Sequence, residues 1–431
     1  MTEQFLVTKT FTKSGADFCL IRRYMQRMAD DRAAIAHLLR RTTFGPVPGQ
    51  VEALNAGGLN AALDQVLAAT PPPLPPPPDF DGWDPPIWWL LRMSDPAVGL
   101  AEKMTWFWHG HLCTSQDKVN SWLMMWNQHL LLRNNALGNF RTLLQQVTID
   151  PAMLIYLDGD PSVVEAPNEN FSREVMELFA LGSGNYTEAD VRNGAKALAG
   201  WDVNWDTGVA TFYPQYALTT PVTFLGRSVM RYNDVIDAVC DHPACAPFVA
   251  GKLHKYFHGV DPSPTRRTEL ATIFRNANLE IRPLVEAILR DPMFFDPSVR
   301  MSRAKLPVEW VAAAFAAAGA SNGGWQASVA NNLGQLPFYP PSVAGWPGGT
   351  RWLAASDALA RADLAHDGPV LDEITNATDQ VGAALARCSL YEISPATRAS
   401  LDAVAALTIP KWQRSRLLLA LALCTPEFAL A

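Results

Sequence analysis

The stretch Asn168-Glu169-Asn170-Phe171-Ser172-Arg173-Glu174-Val175-Met176-Glu177-Leu178-Phe179-Ala180-Leu181 decides what kind of protein this is. Phe171, Val175, Leu178 and Phe179 recur at helical spacing, and a turn of ~100° per residue gathers them on one arc. Asn168 or Asn170 stands where a helix N-cap is wanted, with a short side chain able to accept from the first free amides. Glu174 breaks the pattern, because it falls inside the apolar arc between Leu178 and Leu181. A carboxylate there must be paired, protonated or bound to something. Arg173 and Glu177 lie on the polar side as i,i+4 neighbours. With Glu169 they read equally well as lightly paired surface charge or as members of a site.

The segment Pro247–His258 repeats the oddity with the opposite sign. Phe248, Val249, Leu253, Tyr256 and Phe257 cover about half of that helix, and Lys252 stands within their arc. Either its stem runs along the apolar face to water, or Lys252 and Glu174 pair in the interior. A buried pair of that kind is structural or marks an active site.

His109-Gly110-His111 ends a third helical run. Residues two apart on a continuous helix point about 200° apart. His111 is therefore expected to face inward with Met104, Phe107 and Trp108, and His109 outward with Glu102 and Thr105. Chelation by both needs a helix break at Gly110, which glycine permits. Both histidines with Glu174, and Glu169 as a further oxygen ligand, would then suit a divalent transition metal. The alternative is a core histidine bonded to a backbone carbonyl.

Outward from these segments the pattern is helix after helix, so the expected fold is mainly α. One large multi-helix domain is expected over 31–431, after an irregular lead-in over 1–30. The run Pro71-Pro72-Pro73-Leu74-Pro75-Pro76-Pro77-Pro78 has no amide protons at its prolines and predicts an extended segment over 70–86. Trp201–Trp205 and Val209–Tyr213 alternate around Asp206-Thr207-Gly208, which predicts a small β-hairpin near 201–226. The loop Pro340–Trp352, with Gly345, Gly348 and Gly349 beside Trp346 and Trp352, reads as a rigid plug between helices or as a surface of rings.

A net charge of -7 and no concentrated basic strip argue against nucleic acid as a partner. The longest apolar runs, Val311–Ala318 and Leu417–Cys424, fall short of the roughly 18 residues that span a bilayer. Met1–Val7 shows no basic stretch leading into an apolar one, so no signal peptide is read and the cytoplasm is the default compartment. Export alongside a signal-bearing partner stays open. Cys240 and Cys245 have no matching second pair for zinc and read as small core residues. Fourteen Trp are more than such a chain ordinarily carries, and they demand either core mass or a stacking surface.

Several segments in order resemble the bacterial "domain of unknown function 1800" family. They are Ala36–Gly45, Lys103–His111, Pro151–Met153 with Tyr156–Asp158, Pro167–Glu174 continuing through Phe179, Asn185–Val191, Gly200-Trp201, His242–Cys245, Pro340–Gly349 and Thr425–Phe428. The resemblance implies a mostly helical protein, frequent export, and a sulfatase-like protein as a partner. Relatives usually show a His-Asp pair and a Lys before Phe-Leu-Gly. This chain has Tyr216-Ala217 and Val222-Thr223 ahead of Phe224-Leu225-Gly226. If that trio is catalytic in relatives, this chain is inactive or differently specialised.

Two functions remain open at this point. One is an enzyme whose polar site gathers His109 or His111 with Glu169, Asn170, Arg173, Glu174, Glu177 and Lys252, with or without a divalent metal. The other is a non-catalytic binding or assembly partner of a sulfatase-like protein, in which the polar cluster is structural. No nucleophile elbow, phosphate loop or dinucleotide fingerprint is present.

Overall fold

The computed structural model describes residues 31–354, 358, 361–362 and 369–431, so the expected lead-in over 1–30 lies outside the described residues. The described chain is mainly helical, with two small antiparallel hairpins. The first helices are α1 (Arg32–Thr42), α2 (Gln50–Asn55) and α3 (Gly58–Ala68). The proline run, without helix or strand, leads to α4 (Asp84–Met93) and α5 (Gly99–His111). This segment is shorter than expected. Pro85 and Pro86 occupy the first turn of α4, where a missing amide proton breaks no helical bond.

The chain continues through α6 (Gln116–Val119), α7 (Trp122–Asn134), α8 (Phe140–Thr148) and α9 (Pro151–Tyr156). Asn139 caps α8 and Asp150 caps α9, each accepting a backbone amide with its side-chain oxygen. Next is α10 (Asn170–Glu174), which passes without a break into a π-helical turn, Val175–Ala180. A capping box of Thr187 and Asp190 starts α11 (Glu188–Leu198).

The expected hairpin is β1 (Trp201–Asn204) with β2 (Val209–Phe212), in the register Trp201 opposite Phe212. A second hairpin, β3 (Val222–Phe224) with β4 (Arg227–Val229), was not read from the sequence as strands. Its turn puts Leu225 and Gly226 at φ +48° and +74°, and leucine is an unusual residue there. The Leu225 amide donates to Asp190 Oδ1 at 2.7 Å, a tertiary contact that holds the turn.

The remaining helices are α12 (Tyr232–Asp241), α13 (Cys245–His258), α14 (Pro264–Asn276), α15 (Ile281–Leu289), α16 (Pro307–Ala318) and α17 (Gly323–Asn332). They are followed by α18 (Asp372–Thr375), α19 (Gln380–Arg387), α20 (Pro395–Ala405) and α21 (Lys411–Leu423).

Two apolar clusters form the core, and α5 stands between them. Met104, Phe107 and Trp108 face the first cluster, which takes in α1–α3, α8 and α10–α15. Trp106 faces the second, built on α4, α7 and α16–α21. Glu102, Thr105 and His109 are therefore buried, where the sequence reading had them outward. A helix covered on both sides has no solvent face for its polar residues. The Trp excess is largely core mass: Trp89, Trp108 and Trp310 are fully buried, and Trp106 stacks on Trp346 at 5.0 Å.

Candidate functional site

The π turn shapes the neighbourhood of Glu174. Its wider spacing carries the Leu181 amide to the Met176 carbonyl at 2.8 Å. A constant ~100° step therefore misplaces everything after Glu174. Phe171, Val175 and Phe179 are buried as the periodicity requires, while Glu174 is half-buried rather than interior. Among the described residues none donates a hydrogen bond to its carboxylate or forms an ion pair with it. Burial raises its pKa, Glu177 beside it raises it further, and Arg173 opposes both.

Glu177 is engaged rather than solvated. It accepts from the Tyr186 hydroxyl at 2.6 Å and from Ser183 Oγ at 3.2 Å. Burial and that bond push the Tyr186 phenol up to about 12, so it remains a donor at neutral pH. Tyr156, at the end of α9, is also pushed to about 12 by burial, with Cys113, Asp117 and Glu174 adding to the effect. Two phenols and two carboxylates thus share one electrostatic neighbourhood.

The other expected members have structural partners. Arg173 makes a two-pronged bond to Glu188 at 2.7 and 2.8 Å and reaches Glu169 at 3.5 Å. Asn170 Nδ2 donates to Asp158 at 3.0 Å, and Asp158 pairs with Lys118 at 2.7 Å. Lys252 is solvent-exposed, with its ammonium 5.2 Å from the Phe248 ring centroid, which is the snorkelling arrangement. No ion pair joins Lys252 to Glu174.

The histidines separate. α5 runs unbroken through Gly110, so the two imidazoles leave on different sides. His111 Nε2 lies 2.8 Å from the Phe179 carbonyl oxygen and its ring stacks on Phe107 at 5.5 Å. That is the backbone-bonded alternative. His109 Nε2 accepts from the Phe338 amide at 3.1 Å, inside a cage of Trp89, Trp106, Trp346 and Phe338. Burial lowers His109 to about 3, with His129 adding to the effect. Burial likewise lowers His111 to about 4, although the Phe179 bond opposes it and Lys252 reinforces it. One nitrogen of each ring is thus committed to the backbone. Among the described residues no three His, Cys, Asp or Glu side chains converge as a metal needs, so the expected donor set does not fit the arrangement.

A family model described as "Protein of unknown function (DUF1800)" matches residues 37–430. The chain belongs to the DUF1800 family. No curated protein and no solved structure matches it. This DUF1800 chain departs from the resemblance at three positions. Tyr216 is exposed and its carbonyl accepts from the Val164 amide at 3.0 Å, Ala217 is buried, and Val222 opens β3.

Sequence reading missed Tyr186, Tyr156 and the Lys118–Asp158 pair, because each reaches the site from a different element. The capping box Thr187–Asp190 was a legible signal that Tyr186 sits just ahead of a helix. Buried ion pairs at Glu102 and at Lys103–Glu309 were also missed.

Proposed function

We propose that the chain is an enzyme in which Glu174 transfers a proton to or from a polar substrate. The observation that carries this reading is its half-buried carboxylate, unpartnered among the described residues and raised in pKa, at the mouth of a π turn. Such a group can take a proton from a bound hydroxyl or water and return it to a leaving group. Tyr186 gives its one phenolic proton to Glu177, so toward a substrate hydroxyl beside it its oxygen acts as an acceptor. The reaction class this supports is acid–base hydrolysis or proton abstraction, with no step assigned to a metal. The test runs the parent and Glu174→Gln side by side on ester, phosphate, sulfate and glycoside reporters. Turnover by the parent that falls roughly 100-fold or more in the folded variant supports the assignment. Turnover that survives the substitution, or none with any reporter, counts against it.

A second reading is assembly with a sulfatase-like protein, the chain leaving the cell with that partner. Its support is exposed aromatic surface beside the proline segment: Phe80 and Trp83 are exposed, as is Trp205 at the β1–β2 turn. Phe80 packs on Trp126, and Gly208 of the turn packs on Leu123 and Met124, so both regions rest on α7. Co-purification of the two proteins, lost in a Phe80→Ser/Trp205→Ser variant, is the expected result. A monomer that ignores its neighbour overturns this reading.

A further inference from the structure

Away from Glu174, the interior where α1, α13, α16 and the 299–306 loop meet holds cations that the proposed chemistry does not use. Arg40, Arg41, Lys103 and Lys305 are all buried, and Arg303 is nearly so. The buried carboxylate facing them is Glu309. Lys103 and Arg303 both take its Oε1, at 2.5 and 2.8 Å, and the Leu306 amide takes Oε2 at 2.9 Å. Glu392 is a further carboxylate nearby and is bound to Arg300 at 2.6 Å. Arg40 Nη2 donates to the Ser389 carbonyl at 2.9 Å, and Glu392 acts on its charge from farther off. Lys305 rests on the Phe428 ring at 4.0 Å.

Arg41 is the least satisfied member. Its Nη2 donates to Val299 O at 3.2 Å and Ser302 Oγ at 3.3 Å, while Nε and Nη1 have no partner among the described residues. Arg303 Nε is unpartnered in the same way. A lysine can answer burial by losing its proton, but a guanidinium cannot. The charge on Arg41 is therefore permanent, and an unpaired charge in the interior is strongly unfavourable. Gly259, at φ +84°, closes this corner without a side chain: a Cβ there would stand 3.4 Å from both Arg41 Nη1 and Ser302 Oγ. Arg41 Nη1 thus faces the Gly259 backbone, the exposed Ser302 and the stem of Arg303.

We propose that a small inorganic anion, of the size and charge of chloride, binds at Arg41 beside Arg303 and Ser302. It completes the charge balance of the interior and ties α1 to the 299–306 loop. The inference is independent of the role of Glu174.

The protein is exchanged into sodium gluconate after equilibration with chloride, and its thermal midpoint is followed from 1 to 100 mM chloride at constant ionic strength. A saturable rise of at least ~2 °C that is absent in Arg41→Gln is the expected result. A midpoint indifferent to chloride, or the same rise in both proteins, overturns the proposal. Should Arg41→Gln fail to fold, ion chromatography of the denatured, desalted parent decides. Release of about one chloride per chain sustains the site, and release of none removes it.

Discussion

His111 donates its Nε2 proton to the carbonyl oxygen of Phe179 across 2.8 Å, joining the last turn of α5 to the π turn that follows Glu174. The bond requires a proton on Nε2, and burial, which lowers the ring to about 4, keeps the other nitrogen unprotonated at neutral pH. It also places a half-buried imidazole against the backbone of the candidate site. A change at either end is therefore felt at the other.

Acid should destabilise the fold from about pH 6.5 downward. Burial lowers His109 and His129 to about 3 and His111 to about 4, against 6.5 for an unconstrained imidazole. Because the unfolded chain binds these protons first, the stabilisation is whole above pH 6.5. It is lost as pH falls toward the folded values, by about 1.4 kcal/mol per unit for each ring. Asp150 acts in the other direction, because burial raises it to about 7 and its contribution fades as pH rises through that value. Three rings outweigh one carboxyl, so urea denaturation at pH 7.5, 6 and 5 should show stability falling throughout. A flat profile would mean that the rings are hydrated.

Glu102 is buried and takes Trp89 Nε1 at 2.7 Å, Arg92 Nε at 3.0 Å and the Arg133 guanidinium. Replacing it with Gln leaves two buried guanidinium groups facing a neutral amide. The expected loss is ~3–5 kcal/mol in equilibrium denaturation. A loss below about 1 kcal/mol would show that water reaches Arg92 and Arg133 and shares their charge.

Gly345 lies at φ +80°, and a Cβ there would fall inside the contact radius of the Gly110 carbonyl oxygen. Its loop therefore packs backbone to backbone on the end of α5, as a plug does. Gly345→Ala should cost roughly 1–3 kcal/mol and open the Pro340–Gly349 loop to limited proteolysis. Unchanged cleavage and stability would show that the loop seats elsewhere.

How much was legible depended on how local the cause was. The Asn139, Asp150 and Thr187 caps and the β1–β2 hairpin follow from residues within a few positions of one another. Glu174 was flagged because a carboxylate in an apolar arc is a local contradiction. Its partial exposure was not legible, since a π turn differs from an α turn by hydrogen bonds rather than by composition. The burial of Lys103 was equally hidden, because its counter-charge Glu309 lies 206 residues away.

By itself the sequence determined a mainly helical chain, a small hairpin and a proline run outside helix and strand, because periodicity and proline chemistry act within a few residues. Only the tertiary structure decided that α5 has no solvent face, that His109 and His111 serve different clusters, and that Lys252 and Glu174 stay apart. Those outcomes depend on which distant helices cover each face. Desolvation, the force that then sets the charge and partner of every polar side chain, exists only once they have done so.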